Sequence, residues 1–452
     1  MPPDAARSGP DPRGLRLGPF WLAPGVSRAN GLVLLYTSFS TIGLVTWVNF
    51  ANPYVFALLG VPPDRQGQLA SLLVLLQEAV QIVLGGLIGA LSDRHGRRVV
   101  LVGGLVLMAA GYAVYPLAGS ELQLVLLRAF YSVGMTAATV MVSASLAEYT
   151  QEGTRGRWMG TAGVCNGLGV VLTAVLLSRL PQFLAGRGFS QAEALTVSFW
   201  IFAGYLLLLA GLARTGLVAR SVRPAGPQAS LLRQTLHGLT IARASPRIAL
   251  AYATAFASRG DLVILTTFMS LWLVQAGLAE GLTPAEATGR AGRVFGLAQG
   301  MALVWSFAMG FILDRVTRLA GIVIAFSLAC AGYLALGQVD DPLGSAMLPA
   351  AMLAGIGEAS AVVAAGVFIG QEAPAVTRGV VLGTFGVAGS VGMVVLSGLG
   401  GQVFDRFGGG TPFLLMGVVN GGVALLALRL WRSHAAGRRG PSSPGQGGCN
   451  TL

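Results

Sequence analysis

The sequence predicts an all-α membrane protein with twelve transmembrane helices in two pseudo-symmetric six-helix bundles. Hydrophobic residues make up 54% of the chain and charged residues only 11%, whereas an ordinary soluble domain has about 25% charged residues. The apolar residues fall into twelve runs, each close to the roughly 20 residues that a helix needs to cross a bilayer. Short motifs in the first half recur in the second half, which indicates duplication of a six-helix unit.

The twelve predicted spans follow one another with short connections, except for one longer segment in the middle of the chain. They lie near residues 31–55, 68–91, 98–118, 121–147, 158–182, 195–215, 248–276, 293–313, 320–338, 345–370, 379–402 and 412–431. An even number of spans places both termini on the same side of the membrane.

The turn between the second and third spans predicts the orientation. It reads Asp93-Arg94-His95-Gly96-Arg97-Arg98, and short loops rich in arginine stay in the cytoplasm. The other connections on that side also carry arginines, whereas the loops on the other side are poorer in them. The sequence therefore predicts cytoplasmic termini and a multi-pass protein of the bacterial plasma membrane.

Composition and net charge also argue against several classes of function. The net charge of +12 arises from arginines in short loops, so the positive-inside rule explains it better than nucleic-acid binding does. Without lysine, the chain cannot form the phosphate-binding loop G-x-x-x-x-G-K-[ST]. Three scattered cysteines do not suggest a disulfide framework or a metal site. We therefore expect no cofactor and no catalytic centre, and an energy source in an ion gradient.

Five segments are expected along the chain. Residues 1–28 and 433–452, rich in Pro, Gly and Arg, are predicted to be disordered cytoplasmic tails. Residues 29–217 and 248–432 are predicted to form the two bundles. The linker at 218–247 contains a stretch with apolar residues at helical spacing, which predicts a short amphipathic helix at the surface.

Two motifs repeat between the halves. Thr154-Arg155-Gly156 recurs as Thr377-Arg378-Gly379, and Gly89-x-x-x-Asp93-Arg94 recurs as Gly310-x-x-x-Asp314-Arg315. A third copy, Gly401-x-x-x-Asp405-Arg406-x-Gly408, falls at an outer loop. Inverted repeats nested within each half place a copy on that side.

These motifs resemble the major facilitator superfamily over residues 30–432. The superfamily's signature loop, G-x-x-x-D-R-x-G-R-R, matches Gly89, Asp93, Arg94, Gly96, Arg97 and Arg98. Arg128 followed by Gly134 resembles the intramembrane arginine motif of the family, with Ser132 in place of the usual glycine. Ala147-Glu-Tyr-Thr and Arg155-Gly-Arg157 resemble the loop between its fourth and fifth helices. Leu168 stands where the drug antiporters of the family have a proline.

The resemblance implies a latch on the cytoplasmic side. Asp93 would cap the end of a neighbouring helix, and the loop arginines would bond carboxylates across the bundle. The expected gate residues are Gly89, Asp93, Arg94, Gly96, Arg97, Arg98, Arg155, Asp314, Arg315 and Arg378. The alternative is a solvated turn that sets topology alone.

Charged residues inside the apolar runs are the candidates for substrate binding and proton coupling, because a charge at bilayer depth costs at least about 2.5–3.5 kcal/mol. These residues are Glu78, Arg128, Arg259, Asp261 and Glu358. Two arginines against three acids leave one negative charge, which suits an acid that changes protonation state; a static buried ion pair is the alternative. In the resemblance, the first, fourth, seventh and tenth helices line a central cavity. Asn49 and Asn52 in the first span are substrate-binding or packing residues.

Three functions remain open from the sequence. The first is a secondary transporter that works by alternating access and takes up a small organic solute, an organic anion among the candidates, together with protons. The second is a proton-driven efflux antiporter for drugs or metabolites, which Leu168 disfavours. The third is a transporter-like sensor that moves nothing. The expected partners are a small-molecule substrate, protons and the lipid bilayer, with the protein acting as a monomer.

Overall fold

The computed structural model describes residues 13–219, 231–374 and 376–437, which are almost entirely helical. Two short strands, β1 (Arg16–Leu17) and β2 (Phe20–Trp21), precede the helices. The helices are α1 (Arg28–Leu58), α2 (Pro63–His95), α3 (Arg97–Val114), α4 (Glu121–Glu148), α5 (Arg155–Val175), α6 (Leu180–Ala185), α7 (Gln191–Gly216), α8 (Leu231–Ala244), α9 (Pro246–Ala279), α10 (Pro284–Leu313), α11 (Arg318–Gly337), α12 (Met347–Glu372), α13 (Arg378–Phe407) and α14 (Thr411–Gly437).

Twelve segments of the described chain are long and apolar enough to cross a membrane, which confirms the predicted fold class. The short helix α6 continues the fifth span, and α8 lies in the linker, so the seventh to twelfth spans are α9 to α14. Three-residue 3₁₀ helices at Tyr115–Leu117, Glu152–Thr154 and Leu177–Arg179 extend neighbouring helices.

Local capping sets where several helices begin and end. Ser27, Ser190 and Thr283 each form a capping box, in which the hydroxyl accepts from the backbone of the third helical residue and that residue's side chain accepts from the cap. Gly96 and Gly408 end α2 and α13 with φ of 87° and 98°, which only glycine adopts readily.

Corresponding helix pairs in the two halves pack in the same way. α3 and α4 approach closely where Gly104 faces Ala138, and α11 and α12 do so where Gly357 faces Ala329. An ion pair joins the same helix ends in each half: Arg97 to Glu148 at 2.5 Å, and Arg318 to Glu372 at 3.2 Å. α1 to α7 form the first bundle and α9 to α14 the second, as duplication of a six-helix unit predicts.

The crossing of α3 and α4 gives a stability prediction. A Cβ added to Gly104 would lie 2.7 Å from the Ala138 backbone nitrogen, whereas one added to the neighbouring Gly103 would meet no atom within 4 Å. We expect Gly104→Leu to lower the free energy of unfolding by about 1–3 kcal/mol, the usual cost of overpacking. Gly103→Leu is the matched control, with a change below about 0.5 kcal/mol. Thermal unfolding in detergent measures both, and an equal loss in the two variants would contradict the assigned crossing.

The expectation of a disordered tail is wrong for residues 13–27. β1 and β2 pair as a hairpin, and Leu22 forms a bridge to Thr150 in the turn between α4 and α5. The Trp21 carbonyl accepts the Gln151 backbone N–H at 3.0 Å. Leu22 and Val26 are fully buried, so burial of apolar side chains on this turn orders a segment whose composition suggests disorder. Residues 1–12 lie outside the described ranges.

The linker and the chain end differ slightly from their predicted bounds. The linker contains α8, which packs on α9 and α13, and the Tyr252 hydroxyl donates to the Gly238 carbonyl at 3.4 Å. α14 continues to Gly437, five residues beyond the predicted bundle boundary at 432. Residues 220–230 and 438–452 lie outside the described ranges.

The membrane-spanning helices run between two ends of the molecule. The signature face is the end that holds Asp93, Arg155 and Arg378, and the opposite face is the end that holds Gly67 and Asp405. The bundles touch at the opposite face, where α2 packs on α13 and α5 packs on α10.

Candidate transport cavity

A cavity of about 550 Å³ lies between the two bundles. α1, α2, α4 and α5 line it from the first bundle, and α9, α10, α12 and α13 from the second. Its apolar wall includes Phe295 and Met393. Its polar lining comprises Thr46, Asn49, Gln77, Glu78, Gln81, Thr139, Ser143, Arg259, Thr266, Thr267, Gln299 and Glu358. The cavity therefore suits a small solute that carries both polar and apolar groups.

Arg259 on α9 is the cation of the cavity wall. Its methylene chain lies over Gly389 of α13, where an added Cβ would be 2.7 Å from the Arg259 Cγ. The side chain is exposed to the cavity. Within the described ranges, no carboxylate lies within 4.0 Å of its guanidinium. Its hydrogen-bonding capacity is thus available to a solute.

Two carboxyl groups face the cavity from different bundles. Glu78 on α2 is 4% exposed and interacts electrostatically with Arg259 across the cavity. Its Oε2 has no hydrogen-bond partner among the described residues. Glu358 on α12 is 5% exposed, and its Oε2 accepts from Gln299 Nε2 at 2.8 Å. The cavity therefore joins an acid of the first bundle to a cation of the second.

Arg128 lies behind the cavity and does not line it. It is completely buried on α4, and it donates from Nη2 to Asn49 Oδ1 and, at 2.6 Å, to Gln77 Oε1. Its guanidinium also lies 5.3 Å from the centroid of the Tyr131 ring. Arg128 thus positions Asn49 and Gln77, two side chains that do face the cavity.

The two asparagines predicted as substrate-binding residues separate in the structure. Asn49 lines the cavity, whereas Asn52 is 2% exposed inside the first bundle and accepts from the Tyr115 hydroxyl at 2.7 Å. The structure therefore gives Asn52 a packing contact and places Asn49 at the candidate site.

These contacts predict unequal losses of stability. Asn49→Leu removes an acceptor of a buried guanidinium, so we expect a cost of about 1.5–3 kcal/mol, the range for hydrogen bonds to charged groups. Asn52→Leu removes the acceptor of a neutral hydroxyl, and we expect about 0.5–1.5 kcal/mol. Thermal unfolding of the two purified variants compares them, and a larger loss for Asn52→Leu would contradict the positioning role of Arg128.

Asp261 lies away from the cavity, although it follows Arg259 by two residues. It is completely buried, and its Oδ1 accepts from Asn420 Nδ2 of α14 at 2.7 Å. The Tyr333 hydroxyl of α11 donates to the Asp261 carbonyl at 2.8 Å. Residues two apart on a helix point in different directions, so Arg259 reaches the cavity while Asp261 packs inside the second bundle.

The predicted gate residues make contacts within their own bundles. Arg97 pairs with Glu148, Arg98 Nη1 donates to the Leu217 carbonyl at 3.2 Å, and Arg155 pairs with Glu152 at 3.0 Å. Arg315 donates to the Phe311 carbonyl at 3.0 Å on its own helix. Gly89 has open space around it, and Gly96 ends α2.

Four other predicted gate residues are exposed on the signature face: Asp93, Arg94, Asp314 and Arg378. In the described parts of the chain, none of their side chains has a hydrogen bond or ion pair. The expected latch between the bundles is therefore not formed on this face. Its absence leaves the Asp93 carboxylate available for a partner in another conformation.

The contacts between the bundles at the opposite face include residues that we did not predict to be functional. Asp405 at the end of α13 accepts the backbone N–H groups of Gly67 and Gln68 of α2, at 2.7 and 2.8 Å. The Ser71 hydroxyl donates to the Ser397 carbonyl at 2.6 Å. The third copy of the repeated motif was the sequence signal for Asp405. Gln299, which donates to Glu358 in the cavity wall, was not predicted either. Its sequence signal was a single amide side chain in an apolar run.

Comparison with known proteins agrees with this architecture. Residues 29–348, and again 306–448, match the Major Facilitator Superfamily. Among solved structures, the crystal structure of the nucleoside transporter NupG superposes with a TM-score of 0.70, covering 89% of this chain and 99% of that one. At 13% identity, this likeness concerns the fold alone.

Curated relatives are similar over different lengths. Magnetosome protein MamH of Paramagnetospirillum magneticum is 26% identical over 94% of this chain and 97% of its own length. Magnetosome protein MamZ of the same organism is 28% identical over 80% of this chain, which spans 56% of MamZ. The 3-(3-hydroxy-phenyl)propionate transporter of Escherichia coli is 28% identical over 60% of this chain and 62% of its own length. With twelve candidate spans around a central cavity and a family match over most of its length, the chain belongs to the Major Facilitator Superfamily of membrane transporters.

Proposed function

We propose that this protein transports a small organic anion together with a proton, by alternating access of the central cavity to the two sides of the membrane. The observation that carries the proposal is Arg259, a cavity-facing guanidinium without a carboxylate partner in the described ranges. A guanidinium binds a carboxylate through two parallel hydrogen bonds. The anionic group of the solute therefore binds at Arg259, and its apolar part lies along Phe295 and Met393.

Glu78 is the coupling acid in this proposal. In the empty cavity, the positive charge of Arg259 favours the ionised form of Glu78 and partly compensates that charge. When an anion binds Arg259, that compensation is lost, and an ionised carboxylate buried beside a bound anion is unfavourable. Glu78 then takes up a proton, so that entry of one negative charge is matched by one proton. Arg128, which also interacts with Glu78, keeps the surrounding amides in place.

The other two acidic residues within the membrane spans have supporting roles in this proposal. Glu358 and Asp261 each accept a hydrogen bond from a side-chain amide, Gln299 and Asn420 respectively. In the proposal, Glu358 shapes the solute site opposite Glu78, and Asp261 joins α9 to α14. Glu78 interacts electrostatically with Arg259, whereas neither of these acids has such an interaction among the described residues, which makes both less suited to sense an anion there.

One of the relatives supports this solute class. The Escherichia coli relative is a transporter of 3-(3-hydroxy-phenyl)propionate, which is a carboxylate. The arginine-rich loops of the signature face favour its placement in the cytoplasm of a bacterium, with the chain in the plasma membrane. The cavity lies inside a single chain, so a monomer suffices for transport.

Reconstitution into liposomes tests the proposal with a panel of radiolabelled carboxylates, 3-(3-hydroxyphenyl)propionate among them. An acidic outside medium should drive accumulation of at least one member, and a protonophore should abolish it. Accumulation driven instead by an acidic interior would establish proton-coupled antiport and contradict the proposed symport. Neither binding nor movement of any member would contradict the solute class, whereas specific binding without movement would favour a sensor.

A further inference from the structure

α2 and α13 end in the same local structure at opposite faces of the molecule. The sequence Gly-x-x-x-Asp-Arg-x-Gly occupies residues 89–96 at the end of α2 and residues 401–408 at the end of α13. In each copy the last glycine has a positive φ, and its N–H donates to the carbonyl four residues earlier, at 2.8 Å for Gly96 and 3.0 Å for Gly408. Asp93 and Asp405 therefore occupy the same position in the last turn of their helices.

Asp405 uses this position to hold the other bundle. Both carboxylate oxygens accept backbone N–H groups near the start of α2, from Gly67 and Gln68. Hydrogen bonds to a carboxylate are stronger than those between neutral groups. They also place the negative charge near the positive end of the α2 dipole.

The backbones come close enough for this contact because both helices have glycine there. A Cβ on Gly67 would lie 2.8 Å from the Gly401 carbonyl oxygen, so larger residues would force the helices apart. One turn farther along, the Ser71 hydroxyl donates to the Ser397 carbonyl of α13. Gln275 of α9 adds a hydrogen bond of 3.1 Å to the Pro63 carbonyl at the start of α2. Together these contacts join the two bundles between the cavity and the opposite face.

Asp93, the equivalent residue at the signature face, makes no such contact within the described ranges. It is exposed, and no described residue forms a hydrogen bond or ion pair with its side chain. The start of α13, which corresponds by symmetry to the start of α2, has glycines at 379 and 386 where an added Cβ would meet no atom within 4 Å. The same motif is thus engaged at one face and free at the other.

We propose that Asp405 is the latch of the opposite face and that it works in alternation with Asp93. While Asp405 binds the start of α2, the cavity is closed on the opposite face. When Asp405 releases, α2 and α13 separate there, and Asp93 binds the backbone N–H groups at the start of α13. Because one carboxylate contact replaces another of the same kind, the two conformations stay close in free energy, and a bound solute can shift the balance. This proposal does not depend on which solute the cavity takes.

Double electron–electron resonance on the full-length purified protein tests the alternation without any substrate. The parent carries serine at Cys165, Cys330 and Cys449. One spin-label pair joins α2 to α13 at the opposite face through Arg65→Cys and Phe407→Cys, whose side chains are exposed. A second pair reports on the signature face through His95→Cys and Val376→Cys, which are also exposed.

We expect Asp405→Ala to change the ratio of the two conformations by at least tenfold, with a longer distance for the first pair and a shorter one for the second. Asp405→Asn retains one acceptor oxygen and should give a smaller shift in the same direction. Arg406→Ala, one residue farther along α13, is the matched control and should match the parent. Asp93→Ala should not lengthen the first distance, because Asp93 is free in the conformation closed at the opposite face.

Two results would overturn the latch. One is an Asp405→Ala variant that elutes as a single species, unfolds at the parent's temperature and has the parent's distance distributions at both faces. The other is an equal shift in Arg406→Ala. If Asp405→Ala proves unstable, Asp405→Asn decides the question by the same two distances.

Discussion

Replacing Arg259 with glutamine is expected to reduce the rate of organic-anion uptake by about 10- to 100-fold. The variant keeps a polar side chain of similar length but loses the charge and the paired donors that bind a carboxylate. Hydrogen bonds to charged groups contribute about 1.5–3 kcal/mol, and about 1.4 kcal/mol corresponds to a tenfold change. The measurement is the initial uptake rate in liposomes under an imposed pH gradient.

Arg259→Lys is the matched variant, since it keeps the positive charge but loses the planar guanidinium that donates two parallel hydrogen bonds. We expect its uptake to fall between that of the parent and that of Arg259→Gln. Because Arg259 has no carboxylate partner in the described ranges, neither substitution should lower the unfolding temperature markedly. Uptake by Arg259→Gln at the parent's rate would remove Arg259 from the solute site.

Glu78→Gln is expected to abolish accumulation driven by a pH gradient while preserving exchange of internal for external solute. Glutamine keeps the size of the side chain but cannot gain or lose a proton in this pH range. The cavity can then still alternate with solute bound, but the proton gradient no longer drives net movement. The measurement compares gradient-driven uptake with counterflow in the same liposomes.

Asp261→Asn provides the control for this prediction, because Asp261 is a buried acid outside the cavity. Its gradient-driven uptake should remain at the parent's level. If Glu78→Gln accumulates solute as the parent does, Glu78 is not the coupling acid. Loss of accumulation in Asp261→Asn alone would assign coupling to the interior of the second bundle.

The sequence was sufficient to predict the membrane spans and to identify the charged residues within them. Runs of about 20 apolar residues are diagnostic because a bilayer leaves the backbone few alternatives to a helix. The charged residues stood out for the same reason, and Glu78, Arg259 and Glu358 indeed face the cavity. Their partners could not be predicted, because the direction of each side chain depends on how the helices are rotated in the bundle.

Two further features needed the folded chain. Asp405 was visible as part of a repeated motif, but its contact with Gly67 joins residues 338 positions apart. Residues 13–27 looked disordered by composition. Leu22 and Val26 become buried only on a surface supplied by later parts of the chain, which local sequence does not reveal.

The most direct test of the proposed coupling is the simultaneous measurement of proton and anion entry into liposomes without an imposed pH gradient. With the membrane potential clamped, addition of a transported monoanionic carboxylate should alkalinise the outside by about one proton per anion. Arg259→Gln and Glu78→Gln should both lose this response. Entry of the anion without proton movement in the parent protein would contradict coupled transport.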